Sequence, residues 1–108
     1  MTIRSLVSVT ALTVGLLGMA SAQAAGDAAA GKIKANTCLG CHAVPSVTNA
    51  YPTYHVPKVS GQHADYIVAA LKGYKDGSRA HKTMHANAAS LSDQDMADIG
   101  AFFAAGGK

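Results

Sequence analysis

The chain has 108 residues, with nine Lys and Arg against six acidic residues, all of them Asp, and a formal net charge of +3. That length accommodates one small domain, and two cysteines are too few for a disulfide scaffold. No run of basic residues occurs, so the charge balance gives no argument for a nucleic-acid partner.

Residues 1–4 make a short positive start, and residues 6–17 (LVSVTALTVGLL) an uncharged apolar run that leads to Ala22-Gln23-Ala24, an A-x-A processing site. This pattern predicts a cleaved secretory signal peptide over residues 1–24 and a folded domain over residues 25–108. A permanent membrane anchor is the alternative. It is disfavoured because the apolar run falls short of the ~20 residues a spanning helix needs. Loss of the leader removes Arg4 and lowers the formal charge by one.

Asp27 is placed to cap a first helix over residues 28–37, which runs directly into Cys38-Leu39-Gly40-Cys41-His42. Covalent attachment of a haem needs two thiols that add across two vinyl groups on neighbouring pyrroles. Cysteines at i and i+3 on a helical turn face the same way and meet that need. The next residue, His42, then offers its imidazole to the iron as the proximal ligand. Two other readings of Cys-x-x-Cys are weaker. Zinc would require further ligands and no second Cys pair exists; a thioredoxin-like site would require a βαβ context.

Residues 43–60 contain all three prolines with Ser, Thr and Asn, and read as an extended loop. Residues 62–75 set Tyr66, Ile67, Ala70, Leu71 and Tyr74 on one helical stripe that stops at Gly77. A polar run over residues 77–83 leads to Met84, read here as lying in a break between helices. The last helix has the clearest start: Ser92 with Asp95 forms a short-armed capping box, and Leu91 with Met96 a hydrophobic staple. Ile99, Phe102 and Phe103 continue its apolar face to Gly106-Gly107. No strand and no internal repeat is expected.

The chain resembles class I c-type cytochromes, and within them the single-haem relatives of the bacterial dihaem cytochromes c. GDAAAGKIKANTCLGCH, VPKVSGQHADYIVAALKGYKDGSR and TMHANAASLSDQDMADIGAFF carry the resemblance, in family order. It implies a small all-α fold of three to four helices packed around one covalently bound haem c, with the terminal helices crossing where Gly31 admits Phe102 or Phe103. It also implies that the Pro57 carbonyl receives the Nδ1–H of His42 and so orients the ring. Haem propionates would offset most of the remaining positive charge.

The sixth iron ligand decides the function. Met96 is accounted for by the staple. Met84 stands in a polar stretch able to wrap the far side of a haem, and it matches the family's axial methionine. His81 and His85 remain competitors within reach of the same segment. The candidate site is therefore Cys38 and Cys41 for covalent haem, with His42 and Met84 as axial iron ligands. Tyr51, Tyr54 and Arg79 are candidates for hydrogen bonds to propionates, whereas Tyr66 and Tyr74 read as core, and His55 and His63 as surface or capping residues. Lys58, Lys72, Lys75 and Lys82 form a solvated face that could rim the haem edge.

With both axial positions filled the iron has no open coordination site, and no separate acid–base or nucleophile constellation occurs. The expected function is a periplasmic electron carrier rather than an enzyme, a monomer after loss of the leader, with other redox proteins as partners and no membrane anchor. A haem subunit docked to a periplasmic dehydrogenase, and a haem ligand sensor with a vacant sixth position, are the alternatives in that order.

Overall fold

Asp27 begins the first helix with its own carboxylate, which accepts from the backbone N–H groups of Ala29 and Ala30 at 2.8 and 3.3 Å. The computed structural model describes residues 25–43, 45–50 and 53–108; the expected leader and Tyr51 lie outside them. Helix α1 (Ala28–Lys34) follows this cap. The sequence predicts one helix through residue 37, but the chain turns at Ala35 and resumes as α2 (Asn36–His42). Ala35 is fully buried; its N–H still reaches Gly31 and Ile33, and its carbonyl accepts from Cys38 and Leu39. The tightened turn buries the Ala35 methyl group and gives the cysteine motif a short helix of its own.

Residues 43–60 differ from the expected loop. Strands β1 (Thr48–Ala50) and β2 (Thr53–His55) pair antiparallel, with Thr48 opposite His55 and Asn49 opposite Tyr54. Val56 N–H extends the hairpin by donating to Val47 O at 2.8 Å. Three-residue strands are too short to register as an alternating pattern. The prolines masked them further: Pro45 and Pro57 lie outside the strands and Pro52 falls between them in the sequence.

Helix α3 (Ala64–Asp76) ends at Gly77, whose φ of 84° is the left-handed cap that glycine adopts at no steric cost. Helix α4 (Lys82–Ala88) is short, and α5 (Asp93–Ala104) starts with the expected reciprocal box between Ser92 and Asp95. Among the described residues α1 and α3 both pack on α5, and α4 leans on α3. Ile67 and Leu71 from α3 meet Met96, Ile99, Phe102 and Phe103 from α5, with Ala35 and Ala88 closing the core. Leu91 packs on the same cluster, as a staple partner of Met96 should. Gly31 permits the crossing of α1 and α5: a Cβ there would stand 1.9 Å from Asp98 O and 2.8 Å from Phe102 Cβ. Tyr66 departs from its expected place in the core and is 50% exposed.

A polar latch between α1 and α5 was not legible in the sequence. Asp98, buried, accepts from the backbone N–H of Asp27 at 2.8 Å, the Lys34 ammonium at 2.6 Å and the Gln94 amide at 2.8 Å. Lys34 also pairs with Asp95 at 2.8 Å. The Asp27 N–H first, then Lys34 and Gln94, hold the Asp98 carboxyl down to about 2 from an ordinary value of 3.8. Lys34, followed by the Ser92 cap, holds Asp95 well below the carboxylate range. Carboxyls depressed in the folded state give stability that is complete above their unfolded value and lost as pH falls through the folded one. Unfolding followed by acid titration should therefore show stability falling between about pH 4 and pH 2. Asp98→Asn should lower stability at neutral pH and flatten that decline. An acid profile of Asp98→Asn parallel to wild type would show that the latch does not set it.

Candidate cofactor site

Helix α2 carries Cys38, half-buried, and Cys41, exposed, one helical turn apart. Burial pushes the Cys38 thiol above its ordinary value. His42 closes the same helix. Its Nδ1 donates to Pro57 O at 2.7 Å, the hydrogen bond the family resemblance implied, and this leaves Nε2 as the ring's free lone pair. Pro57 stands just beyond β2, so the hairpin that interrupts the expected loop also fixes the height of the carbonyl that holds the ring.

One cavity is lined by Cys38, Cys41, His42, Tyr54, His81 and Met84. A second shares His42, Tyr74 and Met84 with it and adds Ile67, Leu71 and Arg79. All four sequence-predicted site residues therefore meet at one place, contributed by α2 and α4. Met84 itself lies on the first turn of α4 rather than in the expected break between helices. Met96 lines neither cavity and is fully buried in the core.

The two competing histidines are engaged differently. His81 accepts the Met84 N–H at Nδ1, 3.3 Å away, as the N-cap of α4. An Nδ1 that accepts leaves the neutral ring's proton on Nε2, so neither nitrogen of His81 has a lone pair free in this arrangement. His85 donates from Nδ1 to Tyr74 O at 2.7 Å and lines neither of the two cavities.

The walls are aromatic and aliphatic, with polar groups at the margins. Tyr54 OH donates to Thr83 Oγ1 at 3.4 Å. The Arg79 guanidinium lies over the Tyr74 ring at 4.9 Å and the Tyr66 ring at 5.9 Å, and donates to Tyr66 OH at 3.4 Å. Tyr66 and Tyr74, read from sequence as core, are thus cavity walls carrying a cation; only a tertiary turn, with Arg79 N–H donating to Gly73 O, brings the three together. Of the two surface histidines, His55 meets Thr48 Oγ1 across the hairpin, and His63 precedes α3 without a side-chain cap.

These residues suit a porphyrin: two thiols on one edge, an oriented imidazole, a thioether, apolar walls and a marginal guanidinium. The site and the helical fold define a protein built around covalent haem. The Cytochrome c family model matches residues 28–105, and the chain belongs to that family. With membership comes covalently bound haem c and its iron. The chain is 44% identical over 93 residues to cytochrome c4 of Pseudomonas aeruginosa, a match covering 86% of this chain and 44% of the relative. It is 43% identical over 82 residues to cytochrome c-554(548) of Halomonas halodenitrificans, covering 73% of this chain and 95% of that relative. Cytochrome c4 of Thiocapsa roseopersicina is 41% identical over 86 residues, covering 79% of this chain and 43% of the relative. The chain thus spans less than half the length of the cytochrome c4 relatives and nearly all of cytochrome c-554(548).

Proposed function

We propose that this protein is a periplasmic electron carrier, exported by a leader over residues 1–24 and working as a monomer on one haem. Cys38 and Cys41 hold the haem by thioethers, and His42 and Met84 are the axial ligands. Bound in this way, the iron supplies a one-electron ferric–ferrous couple. The reading rests on one arrangement: His42 and Met84 line the same cavity as both cysteines. The acceptor hydrogen bond at His81 and the position of His85 outside both cavities favour Met84 over either histidine. His42 has its proton committed to Pro57, so its free nitrogen is preset for a metal.

With both axial sites taken by side chains, electrons leave through the edge of the group to a protein docked briefly against it. Such encounters bury little surface and use charge to orient the partners. The lysines divide accordingly. Lys58 lines the second cavity and Lys82 is exposed at the start of α4, whereas Lys72 lies 3.8 Å from Asp93 and Lys75 donates to Leu91 O. Stopped-flow mixing of the reduced protein with an acidic redox protein should give second-order exchange that slows as salt rises. Lys58→Glu should lower that rate without changing the absorption spectrum. Salt-independent exchange would remove the lysines from the docking surface. Turnover of a small molecule by the isolated protein, abolished by blocking the sixth position, would overturn the carrier role.

A further inference from the structure

We propose that His81 is a positioning residue for Met84, holding the thioether at the cavity wall by capping the turn that carries it. The inference rests on the reading of Met84 as an iron ligand. Met84 is the third residue of a seven-residue helix, and helices this short have little stability of their own. No acidic residue in its first turn supports its start. What does is His81, in extended backbone (φ −164°), whose Nδ1 takes the Met84 N–H itself. The cap therefore acts on the residue whose side chain faces the cavity, not on a neighbour.

The ring is in turn fixed from two sides. Tyr54 of β2 meets it edge-on at 4.8 Å and 82°, and Tyr74 of α3 at 6.2 Å and 74°. The same Tyr54 hydroxyl donates to Thr83, the residue before Met84. Through this imidazole, and through the direct Tyr54–Thr83 and His85–Tyr74 hydrogen bonds, the hairpin and α3 both bear on where the first turn of α4 stands. Histidine is not among the side chains usually found at helix N-caps, which is why the sequence offered it as a rival ligand rather than as a support.

The test is binding of added imidazole to the ferric holoprotein, which requires Met84 to leave the iron, followed by loss of the far-red charge-transfer band. Losing an N-cap is worth about a fivefold to tenfold change in an equilibrium, so His81→Ala should bind imidazole about five to ten times more tightly than wild type. His81→Asn keeps a short oxygen acceptor at the cap and should return affinity to within about twofold. A structural defect elsewhere would not be repaired by that substitution. In wild type the Met84 amide should be protected from hydrogen exchange, a readout that needs no variant. Met84→Ala separates the two claims. If it binds imidazole tightly while His81→Ala matches wild type, the positioning role fails and the ligand assignment stands. If Met84→Ala itself matches wild type, the ligand assignment fails and the positioning role with it. A His81→Asn variant as loose as His81→Ala, or an unprotected Met84 amide, would also overturn the cap.

Discussion

Replacing Met84 by alanine should erase the weak far-red charge-transfer band of the ferric protein, lower the reduction potential and let the ferrous iron take up carbon monoxide. With Met84 as the sixth ligand, removing its thioether would open one face of the iron, and the His81 imidazole could not fill it without giving up the cap it makes at α4. A methionine ligand favours the ferrous state relative to a nitrogen or oxygen donor, which sets the direction of the potential change. Met96→Ala is the matched control. Met96 is fully buried among Ile99, Phe102 and Phe103, so its truncation should cost on the order of 2–5 kcal/mol of stability and leave the band intact. Absorption spectra of the two ferric variants decide between them. A band lost in Met96→Ala and kept in Met84→Ala would reverse the assignment.

Loss of both thiols should have the larger effect on the protein as a whole. In wild type the haem should stay on the polypeptide through acid–acetone extraction and denaturing electrophoresis, because thioethers survive both. Cys38→Ala and Cys41→Ala should each lower the yield of holoprotein, and the double variant should carry no covalent haem. The core explains why yield and not only attachment should suffer. Cys38 and Met84, which line the cavity, are only partly buried and pack against the cluster, so without a porphyrin between them a share of the apolar surface stays in water. Colour that extracts from the wild-type protein would refute covalent attachment.

Much of this site is legible in the amino-acid sequence. The pentapeptide Cys38–His42 encodes its chemistry in five adjacent residues, and the caps at Asp27 and Ser92 announce α1 and α5 through local hydrogen bonds that a sequence pattern can express. What escaped depends on partners far apart in the chain. The break at Ala35 follows from burial of one methyl group, not from any helix-breaking residue. The hairpin strands are shorter than the period needed to detect them. Asp98 on α5 looks like an ordinary polar position until Asp27 and Lys34 arrive from across the molecule. Met84, which lines the cavity, was expected in a loop and stands on a helix instead, since nothing local signals a helix whose cap is a histidine. Tyr66 and Tyr74 share one stripe on α3, yet Tyr74 is half-buried while Tyr66 lies half in solvent beneath Arg79.

The most direct test of the closed, six-coordinate carrier is to reduce the wild-type protein and mix it with carbon monoxide while recording the absorption spectrum. Ligation by His42 and Met84 predicts that the ferrous spectrum is unchanged on mixing. Rapid and complete conversion to the carbonyl form would mean that the sixth position is open in the native protein, and would contradict the account.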